Sequence, residues 1–576
     1  MKLLEALSLL QKAAAGDAAP FQVRLACGFT PLHLQTFLGA HLQRRLPARR
    51  VVVEVGLFGD VAGTVARLGE DRIDAAVVVL EWSDLDPRLG VRRLGGWRPG
   101  DLPDVVRGAR ASLNTIRASL TAVAGRMPIA LSLPSLPLPP IAPTAPEHAS
   151  GFELELRAAV AAFAAEVGTL SRVRVLAVHE LDRLSPPGGR FDARAELDHG
   201  HPHPMAHDDV LADLSSRLVS PPPKKKGLIT DLDNTLWRGL VGEEGPAGVR
   251  WDLDGHAQVH GLYQQVLRAL ADQGVLLAIA SKNERAVVDA ALARADLAVD
   301  PTQIFPIEAH WGPKSESVAR ILRAWNVGAD SVVFVDDSPL EIAEVQAAFP
   351  EVEGLCFPED VAAAYALLGE LRARFAREET TAEDGLRMAT LRAGALADEE
   401  RKASASPDVF LAQVDAHVEV GFAKLPLDPR ALELVNKTNQ FNLNGRRIQD
   451  AEWLARLEEP ETILMTVAYR DKFGPLGKIA VVRGRRTAPR ALTVDAWVLS
   501  CRAFARRVEH RCLEQLFTRL DVDEITLDFA PTPRNTVLAE LLAELTGAPP
   551  SPGLKIERSD FFARSPPLHH AVSELP

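Results

Sequence analysis

The residues of this chain that could do chemistry fall into two sets. The first opens at Asp231-Leu232-Asp233-Asn234-Thr235, directly after the apolar run GLIT. Alternate residues of an extended segment face the same way, so Asp231 and Asp233 can project from a strand end as two oxygen ligands for a hard cation. A second apolar run ends in Ser281 and a third in Asp336-Asp337, with Lys314 between them at the start of a helical pattern. Phosphoryl transfer to a carboxylate needs a nucleophile, a metal to screen it, and donors for the phosphate oxygens. Read singly, DLDNT is also a strand end with a helix cap, and DD a solvated turn. Their joint occurrence favours the chemical reading.

The second set lies nearer the C-terminus. Leu434 to Arg447 places Asn436, Asn439, Gln440, Asn442 and Asn444 around Phe441. That stretch is too polar for core; a capped helix end and turn is the bland alternative. Further on, a strand pattern from Val494 to Leu499 breaks at Ser500 and a helix pattern begins near Cys501. A thiol at a helix N-terminus with Arg502 and Arg506 nearby has its thiolate favoured by dipole and cations, which makes it a plausible nucleophile. His510 falls near the opposite helix face and is not its base. Cys27, Cys356 and Cys512 are expected as buried small residues.

These residues need rigid elements behind them. Around the first set, strand and helix patterns alternate: KGLITD, GLYQQVLRALADQG, VLLAIAS, NERAVVDAALARA, SESVARILRAWN and SVVFVDD. That order predicts a doubly wound parallel sheet, whose ligands bind at the carboxyl ends of its strands. Only WRGLVGEEG and one helix separate the first two motifs, so no large cap is expected. Upstream, VRLAC, VVVEV, AAVVVL, PIALSLP and VRVLAV alternate with helical stretches as a second α/β layer fold. Leu133 to Pro146 is too proline-rich for either element and is expected as an extended loop. PPPKKKG (Pro221 to Gly227) and the irregular HGHPHPMAHDD before it suggest a linker. His199, His201, His203 and His207 with Asp208 could bind metal there, but a solvated tract is favoured. A weaker seam is expected in ADEERKASASPD. The expected domains are therefore 1–220, 221–375 and 376–576.

Composition agrees with a multidomain globular enzyme. At about 150 residues per domain, 576 residues make three or four units, and 47% hydrophobic with 25% charged residues supplies a core. A net charge of −12 makes nucleic acid and anionic membranes poor partners. The start, MKLLEALSLLQKAAAGD, reads as an amphipathic helix, not a signal peptide, and no apolar run spans a bilayer. Four cysteines without metal-site spacing suggest a reducing cytoplasm.

The first set resembles the four motifs of the haloacid dehalogenase superfamily of phosphatases: DxDxT, Ser, Lys and DD. The resemblance implies Asp231 as the nucleophile that forms an aspartyl-phosphate and Asp233 as general acid/base. It also implies Thr235, Ser281 and Lys314 around the phosphate, and Mg²⁺ held by Asp231 and Asp336, with Asp233 and Asp337 as further candidate ligands. KTNQFNL, DKFGPLG, LSCR and PTPRN, downstream of DLDNTLWRG, are similar to the FkbH-like family. Its members resemble such a phosphatase fused to an acetyltransferase-like (GNAT) domain, and ACGFTPLHLQTFL (Ala26 to Leu38) resembles the SGNH-hydrolase-related region that precedes them. No Ser-Asp-His set is readable in that first region, which is expected to dock or position.

The family resemblance implies a glyceryltransferase/phosphatase of polyketide biosynthesis. Cys501 would take the glyceryl group of 1,3-bisphosphoglycerate, the phosphatase site would remove the 3-phosphate, and the acyl group would pass to the phosphopantetheine thiol of an acyl carrier protein. Asn439, Gln440, Asn442 and Arg502 would bind substrate. The alternatives are a plain Mg²⁺-dependent phosphatase and a non-catalytic carrier-protein scaffold. The basic run Arg483 to Arg490 could meet an acidic carrier helix or be a solvated hairpin.

Overall fold

The computed structural model describes the chain except residues 15–17, 70–71, 95–96, 377–381, 427, 439, 449 and 576, and the side chains of 14, 382–387, 398–399, 402–403, 450–451 and 501. The chain divides into two units, Met1–Pro223 and Lys224–Pro576.

In the first unit the short β-branched runs form a five-stranded parallel sheet. Its strands are β1 (Pro20–Cys27), β2 (Arg50–Val55), β3 (Ala75–Val79), β4 (Ile129–Ser132) and β5 (Val173–Val175), in the order β2-β1-β3-β4-β5. Every residue of β3 and β4 is buried, as expected for strands covered by helices on both faces. The segment expected as a histidine-bearing linker belongs to this unit: Ala193–His199 and Met205–Val219 are helices.

The second unit holds two sheets. The first is parallel: β6 (Gly227–Thr230), β7 (Leu276–Ser281), β8 (Ile304–Ala309), β9 (Val332–Asp336) and β10 (Glu353–Cys356), in the order β10-β9-β6-β7-β8. The winding reverses between β6 and β9, so a crevice opens at their carboxyl ends, where such sheets bind ligands. Gly227 is required at the start of β6, because a Cβ there would lie 2.4 Å from the Trp325 ring. Between β6 and β7 lie only a four-residue helix and the helix Gln258–Asp272, in keeping with an uncapped site.

The last sheet has seven strands: β11 (His417–Gly421), β12 (Thr462–Asp471), β13 (Gly474–Ala488), β14 (Ala491–Leu499), β15 (Glu524–Leu527), β16 (Leu554–Glu557) and β17 (Ala571–Glu574). Their order is β16-β15-β14-β13-β12-β11-β17, antiparallel except for the parallel pairs β14/β15 and β11/β17. The charged stretch expected as a seam is mostly the end of the helix Ala382–Ala403, which lies against both β8 and β13. The basic run from Arg483 to Arg490 is the β13–β14 hairpin. Two of its four arginines pair within the same unit, Arg483 with Asp495 and Arg490 with Asp521 and Asp523.

Candidate active site

β6 and β9 deliver the first set of residues to one crevice. Asp231 follows β6 and its N–H donates to Val335 O of β9 at 2.9 Å. Ligand oxygens of Asp231, Asp336 and Asp337 lie within 4.8 Å of one another. Lys314, at the start of the helix Lys314–Trp325, brings its ammonium 2.6 Å from Asp336 Oδ2 and 2.8 Å from Asp231 Oδ1, and also onto Glu341 Oε2.

Burial pushes the carboxyls of Asp231, Asp336 and Asp337 up, and the charge of Asp336 on Asp231, and of Asp231 on Asp337, adds to it. Burial opposes the Lys314 charge, but Asp231 and Asp336 outweigh it and hold the ammonium up. One lysine thus faces three carboxylates within contact, with Asp337 beside them. An all-oxygen cluster of buried and half-buried carboxylates in excess over its one lysine fits a hard divalent cation such as Mg²⁺.

Asp233 corrects the sequence reading. Expected both as acid/base and as metal ligand, it lies outside the carboxylate cluster. β6 ends at Thr230, so Asp233 lies beyond the strand whose alternation would align it with Asp231. Its Oδ1 accepts from Trp237 Nε1 at 2.9 Å and Val241 N at 3.0 Å, and its Oδ2 from Asn283 Nδ2 at 2.9 Å. Three donors orient one carboxylate, which suits a positioned proton-transfer group. Asn283 also donates to Ser281 Oγ at 3.1 Å. Sequence reasoning missed this residue, although it follows Ser281 at the same spacing as Asp233 follows Asp231. Ser281 and Thr235 are both buried, and Thr235 Oγ1 has no partner.

The second set is only partly assembled. Asn439 lies outside the described residues, as does the Cys501 side chain; Gln440 is exposed. The backbone at Cys501 forms a three-residue 3-10 turn, Cys501–Ala503, and the α-helix begins at Val508. Ala505 and Arg507 have φ of 61° and 58°, a left-handed conformation that interrupts helix. The expected helix N-terminus at the thiol is therefore absent. Arg502 reaches Ser500 Oγ at 3.2 Å, and Arg506 reaches Asp471 Oδ2 at the same distance.

Asn442 is buried, contrary to the reading of its loop as too polar for core. Its amide donates to Thr438 O and Val435 O and accepts from Gly445 N and Asn444 N. The loop is a wedge. β14 and β15 pair only from Ala491 to Val494, and beyond that Leu443 N donates to Trp497 O while Ala530 N donates to Leu443 O. Asn442 is thus spent on filling the gap between two diverging strands.

Two other expectations change. Cys356 is exposed, because β10 is the sheet edge and Cys356 its last residue, whereas Cys27 and Cys512 are buried. Of the histidine tract only His199 is exposed; His201, His203, His207 and Asp208 are all buried. Asp208 holds His203 Nδ1 at 3.1 Å, and Glu81, just past the end of β3, stands 3.4 Å from His203 Nε2. His207 bonds Ser185 and Ser135 and no carboxylate, so the two serines and this histidine do not form a Ser-His-acid relay. This network locks the irregular segment onto the strand ends of the first sheet.

No protein-family model matches the chain, and no curated protein matches it. Among solved structures, the N-terminal part of the protein BF1531 from Bacteroides fragilis, containing a phosphatase domain and complexed with Mg, superposes with a TM-score of 0.52. Identity is 17%, over 66% of this chain and 100% of that one. A structure named for a UDP-N-acetylglucosamine 2-epimerase from Listeria monocytogenes covers 66% of this chain and 98% of its own at 11% identity, with a TM-score of 0.15. Among the described residues no helix is long and apolar enough to cross a membrane. In fold, then, this chain is similar to the Mg-bearing, phosphatase-containing part of the Bacteroides protein.

Proposed function

We propose that the second unit is a Mg²⁺-dependent phosphatase of the haloacid dehalogenase type. The observation that carries the reading is the meeting of Asp231, Asp336 and Asp337 with Lys314 at the crevice between β6 and β9. Asp231, Asp336 and Asp337 would hold the metal, which when bound supplies charge neutralisation for the anionic phosphate. An Asp231 oxygen attacks phosphorus, the bond from phosphorus to the ester oxygen breaks, and Asp233 gives its proton to the departing alkoxide. Asp233, held by Trp237, Val241 and Asn283, then takes a proton from the water that cleaves the aspartyl-phosphate. Lys314 and Ser281 stabilise charge on the equatorial oxygens.

The finer reading is glyceryl transfer. Cys501 thiolate attacks the acyl carbon of 1,3-bisphosphoglycerate and expels phosphate, giving a thioester. After removal of the 3-phosphate, thiol exchange passes the glyceryl group to an acyl carrier protein. The motifs around Cys501 support it. The 3-10 turn at Cys501 favours the plain phosphatase as the second reading, since it withholds the dipole of a full helix from the thiol.

Mass spectrometry after incubation with 1,3-bisphosphoglycerate and Mg²⁺ separates the two. A glyceryl-sized adduct on Cys501 supports transfer. Phosphate release abolished by Asp231→Asn with no adduct leaves the plain phosphatase, and release of the 3-phosphate unaffected by Asp231→Asn refutes both.

A further inference from the structure

The face of the last sheet away from its main core carries a cavity of about 170 Å³. A single water needs only about 15 Å³, so the space admits a small organic or inorganic ligand. It is walled by β13 and β14, by the loop that follows Asn442, and by Glu452 and Arg456 of the helix Asp450–Glu458. Four arginines, 446, 447, 456 and 483, and two carboxylates, Glu452 and Asp495, are among the described residues that line it.

Arg483 is the unusual member. It is 1% exposed, a rare state for a guanidinium unless every donor is satisfied. Its Nε and Nη2 form a fork onto Asp495, each at 3.0 Å, and its plane lies over the Trp453 ring with 4.8 Å to the centroid. Nη1 has no partner. Arg456 shares Asp495 at 3.2 Å and also pairs with Glu452, so Arg483 does not have Asp495 to itself. Arg447 donates to Val435 O and Thr438 O, and burial, followed by the charge of Arg534, pushes its pKa down.

We infer that this cavity is a binding site for a small oxyanion, the phosphoryl or carboxylate group of a compact acidic metabolite, with Arg483 Nη1 as its buried donor and Arg447 and Arg456 at its rim. A guanidinium held flat by a carboxylate on one edge and an indole on its face presents its remaining N–H groups in a fixed direction, which suits a planar or tetrahedral oxyanion. Trp453 gives the site a spectroscopic reporter. This site is separate from the carboxylate crevice, and its occupancy does not depend on the phosphatase reading.

The test is calorimetric titration of the full chain with inorganic phosphate, and in a second arm with acetate, in chelator buffer, with tryptophan fluorescence followed in parallel. Titrations are repeated in Asp231→Asn and Lys314→Met protein to remove any contribution of the crevice. Binding that persists in those two variants supports the site when it weakens about tenfold in Arg483→Lys and at least about threefold in Arg447→Gln, as expected for lost charge-assisted hydrogen bonds. The arm that binds more tightly identifies the headgroup. Arg447→Gln, at the cavity mouth, decides the matter if Arg483→Lys fails to fold. Binding unchanged in Arg447→Gln and Arg456→Gln, or binding lost with Asp231→Asn, overturns the inference.

Discussion

Replacing Lys314 with methionine tests the charge logic of the crevice. Its side chain is 4% exposed and its ammonium touches Asp231, Asp336 and Glu341. Methionine fills a similar volume but leaves those carboxylates facing one another. Removing one partner of a buried ion pair costs about 3–5 kcal/mol, and here several partners lose the same cation. The expected loss of unfolding free energy in chelator is therefore at the upper end of that range. The sign with pH follows from the raised folded-state pKa of Asp231 and Asp336. A carboxyl raised on folding binds more protons folded than unfolded, so stability falls as pH rises, and removal of Lys314 steepens the fall. Urea unfolding of wild type and Lys314→Met, at pH 5.5 and pH 8 and with chelator or Mg²⁺, measures each contribution. The difference between the proteins should be larger at pH 8 than at pH 5.5 and should shrink with Mg²⁺, which restores positive charge. An equal difference under all four conditions would show that Lys314 does not balance these carboxylates, and the metal assignment would fall with it.

Other predictions concern positioning and stability. Asn283→Ala removes one of three donors on Asp233 and the contact to Ser281; phosphate release should slow about tenfold while Mg²⁺ affinity, measured by titration, is unchanged. In the first unit, burial works against the His203 cation, but Asp208 and Glu81 carry its pKa from 6.5 up to about 9. That contribution, about 3 kcal/mol at about 1.4 kcal/mol per unit, is fully present below pH 6.5 and is lost as pH rises through about 9. Amide exchange in the helix Met205–Val219, corrected for its intrinsic rate, should rise over that interval in wild type and not in His203→Gln. Asn442→Ala strands the N–H groups of Asn444 and Gly445, leaves Val435 O and Thr438 O to Arg447 alone, and should cost about 2–4 kcal/mol in denaturant unfolding, whether or not any substrate is bound.

Much of the crevice was legible in the sequence because each piece sits at the end of an apolar run. GLIT, LLAIAS and VVFVD are buried along their whole length, so their last residues mark where the chain leaves the sheet. Asp231, Ser281 and Asp336 follow from that local pattern, and the helical periodicity after Lys314 places the lysine at a helix start. β3 and β4 of the first sheet were legible for the same reason. Asn283 was not, because its importance lies in reaching Asp233 from another strand, and no local periodicity encodes that reach.

What the sequence by itself determined is therefore the list of chain ends that carry chemistry and the winding that brings them to one side. Only the tertiary structure decided which of them meet. It left Asp233 outside the cluster of Asp231, Asp336 and Asp337, and left Cys356 exposed by placing β10 at an edge. It buried Asn442 between strands that diverge, and turned an apparent histidine linker into a locked core network. The physical reason is common to all four. Periodicity states how a side chain points relative to its own backbone, whereas burial and partnership depend on which distant segment arrives to face it.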